Sequence, residues 1–207
     1  MANKNVFINC PFDNEFYPLL KGIFFTLIYL DFNPKIAETS DSGQVRLFKL
    51  NDLMKESQFS IHDLSRIDPI DAQPTARLNM AFELGIDFGL KFSGIAEYQL
   101  KRFLILEKEL HRYQKALSDI AGNDIKNHEN NPEKLIKSIR DWIKTQDKEV
   151  TIPRHKMIFS AYNEFSTYYY QLLSQEGYNP NQIGELTFQD TIDLMKGWIL
   201  QFKPTQT

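Results

Sequence analysis

Glu83 lies in the run Arg77-Leu-Asn-Met-Ala-Phe-Glu-Leu-Gly85, shortly after the strand-like Phe59-Ser-Ile-His-Asp-Leu-Ser-Arg66. This spacing sets one carboxylate, Asp63, at a predicted strand end and another, Glu83, near the start of the following helix. Two carboxylates at the mouth of a parallel sheet suit chemistry at the N-glycosidic bond of a nucleotide. A carboxylate at Asp63 suits hydrogen bonding to ribose hydroxyls. Bulky Phe82 and Leu84 beside Glu83 would desolvate it and raise its pKa. A plainer reading stays open for each. Glu83 and Asp87 could form the solvated face of their helix, and Asp63 could cap the turn that follows it.

The elements that must position these groups alternate between strand and helix. Val6 to Cys10 is a short apolar run closed by Pro11 and Asp13-Asn14, the pattern of a buried strand entering a turn. A helix is predicted over 16–30, with Pro18 tolerated in its first turn. Strands follow at 34–38, 59–64 and 102–107, with an edge strand at 124–128. Helices are expected over 45–56, 76–92, 111–121 and 133–145. The alternation indicates an α/β fold built on an open parallel sheet of about five strands flanked by helices. Ligands of such sheets bind beyond the carboxyl ends of the strands. The character changes after Val150, where two helices over 152–174 and 186–202 flank a Gly177-Tyr-Asn-Pro180 turn. The expected division is an α/β domain over 1–148 and a C-terminal helical extension over 149–207.

Around the strand ends the substrate-binding candidates are Cys10, Pro11 and Phe12 of the first loop, Ser42, Arg46, Arg66, Arg77 and Asn79. The first loop and its helix N-terminus could receive an anion or a base, and Phe12 could stack on a nucleobase. A guanidinium at 46, 66 or 77 could hold a phosphate in bidentate fashion, with Arg46 beside Ser40-Asp-Ser-Gly43 favoured. On the helix carrying Glu83, the polar stripe Asn79, Glu83 and Asp87 stands opposite Leu78, Phe82, Gly85 and Gly89. The two glycines suggest close approach to a neighbouring element. His62, on the opposite face of its strand from Asp63, reads as a core histidine.

Composition removes several function classes. A formal net charge of -3 leaves no basic surface for phosphate-driven nucleic-acid binding. A single cysteine rules out an internal disulfide framework, and four scattered histidines suggest no metal site. The chain runs directly into a strand with no signal-peptide stretch. Its most apolar segment, 19–30, is interrupted by Lys21 and too short to cross a bilayer. A cytoplasmic protein without membrane association is the expectation.

With these residues on the page, the chain resembles the nucleoside 2-deoxyribosyltransferase-like and Toll/interleukin-1 receptor (TIR)-like superfamily. The resemblance spans roughly residues 4–145 and rests on Val6-Phe-Ile-Asn-Cys-Pro-Phe12, His62-Asp-Leu-Ser65 and above all Met80-Ala-Phe-Glu-Leu-Gly85. It implies a flavodoxin-like sheet, Glu83 as the catalytic carboxylate and Asp63 as the acid that holds the sugar. Arg77-Leu-Asn79 stands where the family's transferases carry a Gly-Thr pair, which leans toward hydrolysis rather than deoxyribosyl transfer. The activity implied is an N-glycosidase acting on NAD or a related nucleotide, with no separate cofactor, in bacterial defence or stress signalling. The alternative is a non-catalytic nucleotide-sensing or self-associating module, its partner surface supplied by Tyr168-Tyr-Tyr170, Trp198 and Phe202 of the C-terminal helices. A receiver-type regulator is disfavoured, because Cys10-Pro-Phe12 supplies no acidic pair after the first strand.

Overall fold

The computed structural model describes residues 3–38, 43, 45–67, 78–146 and 151–203. In chain order the elements are β1 (Asn5–Asn9), α1 (Tyr17–Tyr29), β2 (Asn33–Ile36), α2 (Arg46–Glu56), β3 (Phe59–Asp63), α3 (Asn79–Lys91), α4 (Ala96–Gln99) and β4 (Arg102–Glu107). They continue with β5 (Lys126–Asn127), α5 (Pro132–Gln146), α6 (His155–Gln175), α7 (Pro180–Gly184) and α8 (Phe188–Phe202). The chain divides into two compact units, one of residues 1–12 and 32–130, the other of 13–31 and 131–207. Helices α1 and α5, expected within the N-terminal domain, therefore group with the C-terminal helices.

The first unit holds an all-parallel sheet in the order β2-β1-β3-β4-β5, the flavodoxin-like arrangement expected for this α/β chain. Val6, Phe7 and Ile8 of β1 and all five residues of β3 are buried, so these strands are covered on both faces and show no polar alternation. In register, Asn9 of β1 stands beside His62 of β3, and Asp63 beside Leu106 of β4. The edge strand is shorter than expected, two residues pairing with Leu106 and Glu107.

The helix expected over 111–121 is instead two 3₁₀ turns, Arg112–Lys115 and Ser118–Ile120. His111 enters them with a left-handed φ of 63°. Tyr113, Leu117 and Ile120 pack on a cluster that includes Leu64, Met80, Leu84 and Ile105, so packing rather than helix propensity sets this segment. The glycines of α3 do not mark a close approach. A Cβ placed at Gly85 or Gly89 would meet nothing within 4 Å.

The second unit is helical. Pro18 stands in the first turn of α1, and every residue from Leu19 to Tyr29 is buried. Leu135, Ile136, Ile139 and Ile143 form the buried stripe of α5. Phe25 sits at the centre, with ring centroids 5.6 Å from Tyr29 and Phe165, 5.7 Å from Tyr162 and 5.9 Å from Trp198. Of the C-terminal aromatics, Tyr169 and Trp198 are core residues, whereas Tyr170 and Phe202 are partly open to solvent. Between α6 and α8 the expected turn contains the short α7, closed by a capping box from Asn179 and Gln182. No helix among the described residues is long and apolar enough to cross a membrane.

Candidate active site

In the order β2-β1-β3, the direction of chain progression reverses at β1, and a crevice opens there beyond the strand ends. A cavity of about 280 Å³ occupies this position. Asn9, Cys10, Pro11 and Phe12 line it from the end of β1, and Arg46 and Leu50 from α2. Asn79, Met80 and Glu83 line it from the first turns of α3. Of the predicted binding residues, Cys10, Pro11, Phe12, Arg46 and Asn79 therefore converge with Glu83. Arg66 is buried but does not line the cavity. Ser42 and Arg77 lie outside the described residues.

Glu83 is the chemical centre of this cavity. It is 7% exposed, and no described residue donates a hydrogen bond to it. Among the described residues its charged neighbour is Arg46, with Nη2 4.0 Å from Oε1. Burial raises the pKa of the carboxyl above its ordinary value, and the Arg46 charge only partly opposes that rise. Arg46 is itself anchored: Nη1 donates to the Ala37 carbonyl at 2.9 Å, and the guanidinium lies 5.8 Å from the Phe12 ring centroid. The result is a partly desolvated acid beside a cation and an exposed aromatic ring, all facing one cavity.

The acid stripe of α3 is buried rather than solvated. Met80, Glu83, Leu84 and Asp87 are its buried residues, at the i, i+3, i+4, i+7 spacing of one helix face, while Leu78 and Phe82 are exposed. Asp87 is held by two bases. Lys101 Nζ is 2.9 Å from Oδ1, and His62 Nε2 is 3.0 Å from Oδ2. Burial opposes its charge, but the hydrogen bond from His62 and the Lys101 ammonium outweigh this and keep its pKa below the usual value.

Asp63, the second expected carboxylate, is not in the cavity. It is fully buried and accepts from the Ser65 backbone N–H at 2.9 Å and from the Ser65 hydroxyl. Its Oδ2 lies 3.0 Å from His128 Nε2. The side chain caps its own turn instead of reaching a sugar. Ser65, His128 and Asp63 have the residue types of a nucleophilic triad without its geometry. A triad uses one imidazole nitrogen for the serine and the other for the carboxylate. Here both lie near His128 Nε2, which is 2.9 Å from Ser65 Oγ, while Nδ1 accepts from the Asn130 backbone N–H at 3.0 Å. Glu107 and Arg112 extend the cluster through a 2.6 Å ion pair, and Arg112 also donates to the Ser65 carbonyl. Burial nevertheless raises the Glu107 pKa.

Asn9, the last residue of β1, is not among the candidates read from the sequence, because an asparagine at a strand end has no signature of its own. Only the position at the carboxyl edge of β1 could have pointed to it. Among the described residues there is no group of three or more His, Cys, Asp or Glu side chains arranged to hold a metal ion. Comparison with known proteins adds no assignment: no family model, curated protein or solved structure matches this chain.

Proposed function

We propose that the protein is an N-glycosidase of the TIR-like or deoxyribosyltransferase-like kind, cleaving the bond between base and sugar of NAD or a related nucleotide at Glu83. The observation that carries this reading is the state of Glu83: a buried carboxylate with no hydrogen-bond donor among the described residues, facing a cavity at the switch point of a parallel sheet. Such a group is costly to leave uncompensated, and a developing positive charge on an anomeric carbon would compensate it. Its carboxylate either attacks that carbon or stabilises an oxocarbenium-like transition state, and water completes the hydrolysis.

Phe12, 44% exposed at the cavity rim, offers a face for stacking a base. Arg46 offers a cation to a phosphate, and its charge partly opposes the rise that burial causes in the Glu83 pKa. The cavity lies near the small end of the ~300–1,000 Å³ range of ligand pockets, which suits one ring with its sugar rather than a whole dinucleotide. With Asp63 engaged elsewhere, a single carboxylate among the described residues serves the cavity. That favours a substrate whose base leaves without acid assistance, as nicotinamide does from NAD.

Product analysis tests this directly. Concentrated protein incubated with NAD and a panel of nucleosides is expected to release nicotinamide or a free base. Glu83→Gln should lose that activity by at least ~10²-fold with its fold unchanged. Equal turnover in the variant would sink the proposal. The second reading, a nucleotide sensor, draws on the same Phe12–Arg46 rim, and calorimetric binding without product from either protein would favour it.

A further inference from the structure

Asn9 carries a deduction that its residue type alone does not. Its Nδ2 lies 2.8 Å from the Met80 carbonyl oxygen and 3.0 Å from His62 Nδ1. A backbone carbonyl only accepts, so the atom beside it is the amide nitrogen, and the orientation of the side-chain amide is fixed. His62 Nδ1 must then accept the second amide hydrogen. The imidazole proton consequently sits on Nε2, where it donates to Asp87 Oδ2 at 3.0 Å. Asp87 is anchored in turn by Lys101, whose Nζ also donates to the Met54 and Ser57 carbonyls at 2.6 and 2.7 Å.

The chain of partners from Lys101 to Asn9 is almost wholly buried, with His62 and Asp87 at 0% and Lys101 at 1% exposure. Both hydrogens of the Asn9 amide are consumed, one by His62 and one by the Met80 carbonyl. Its Oδ1 accepts no hydrogen bond from any described residue, and Asn9 lines the same cavity as Glu83. A polar oxygen held this firmly, with no donor among the described residues, is a preformed acceptor.

We propose that Asn9 is a substrate-contacting residue whose Oδ1 accepts a hydrogen bond from a sugar hydroxyl, with His62 as the positioning residue that holds it. The assignment rests on the reading of the cavity as a nucleoside site. It gives the site a way to orient the sugar beside Glu83, the role that Asp63 cannot take. A ligand hydroxyl supplies the missing donor, and an analogue without that hydroxyl leaves the acceptor unpaired.

The test is equilibrium binding to Glu83→Gln protein, in which ligand is not consumed. The probes are adenosine, 2′-deoxyadenosine, 3′-deoxyadenosine and the matching nicotinamide riboside series. One hydroxyl is expected to improve affinity by roughly 3- to 10-fold. Asn9→Ala, or Asn9→Ser if the alanine variant does not fold, should abolish that preference. His62→Leu should abolish it as well, and His62→Gln, which can still accept and donate, should restore it.

Equal affinity for hydroxyl and deoxy probes, or an undiminished preference in a folded Asn9 variant, overturns the contact. A preference that survives His62→Leu overturns the positioning role. Failure of every probe to bind removes the sugar contact as well. The two proposals fail separately: a hydroxyl preference that depends on Asn9, without NAD turnover by the wild type, sinks only the glycosidase. Turnover that depends on Glu83, with no hydroxyl preference, sinks only the Asn9 assignment.

Discussion

Glu83 and Asp87 sit one turn apart on the same buried face of α3, and their environments are opposite. Asp87 has a lysine and a histidine within 3.0 Å and a lowered pKa. Glu83 has one arginine at 4.0 Å, no hydrogen-bond donor among the described residues and a raised pKa. Both carboxylates carry the cost of burial. In one the protein answers that cost fully, and in the other it leaves most of it standing. The compensated acid organises the fold around it, whereas the uncompensated one faces a cavity. Ligand chemistry is expected where a buried charge lacks its answer.

The largest expected effect comes from breaking the compensated end. Lys101→Met removes the cation from buried Asp87, leaving it the His62 hydrogen bond, and should destabilise the protein by about 3–5 kcal/mol, read from urea or thermal denaturation. A loss below 1 kcal/mol would mean that His62 alone answers Asp87. Glu83→Gln should do the reverse. Removing an under-compensated buried charge is expected to raise Tm while it abolishes turnover, the usual conflict between stability and function. A lowered Tm would show that Glu83 is better satisfied than the structure indicates.

The pH dependence sharpens the contrast, because the two shifts have opposite signs. Asp87 has a folded pKa below its ordinary 3.8. Its contribution is present above that value and is lost as pH falls through the lowered pKa. Glu83 has a folded pKa above its ordinary 4.5. Its contribution is fully present below 4.5 and is lost as pH rises through the raised value. The advantage of Glu83→Gln over wild type should therefore grow between acid and neutral pH, in denaturation curves taken at several pH values. Were it to shrink on going to neutral pH, the sign assigned to Glu83 would be wrong. The smallest effect concerns the helix that carries both acids. Gly85→Ala and Gly89→Ala meet no atoms within 4 Å, and each should stabilise by about 0.5–1 kcal/mol without changing activity.

The strands were legible because parallel-sheet burial writes itself as unbroken apolar runs, as in Val6-Phe-Ile8 and Phe103-Leu-Ile-Leu106. Glu83 was legible too, since the start of a helix after a central strand falls at the sheet's mouth. The polar stripe of α3 misled. A helical wheel sends Glu83 and Asp87 outward and Phe82 inward, but the wheel cannot see Lys101 and His62, which take Asp87 into the interior. Asp63 was undecidable locally. Asp-Leu-Ser serves a sugar or a turn equally well, and part of the answer lies in His128, 63 residues beyond Ser65. Asn9 was missed for the same reason: the orientation of its amide is determined by Met80, 71 residues away.

The grouping of α1 with helices from the far end of the chain has a consequence for synthesis. Helix α1 is complete at Tyr29, but its partner α5 begins only at Pro132. At about 5–20 residues per second, a ribosome needs roughly 5–20 s to make the intervening chain. For that interval a helix apolar on nearly every side waits for the helices of its own unit. A nascent chain arrested near residue 130 would thus be a natural client for a chaperone that shields single apolar helices.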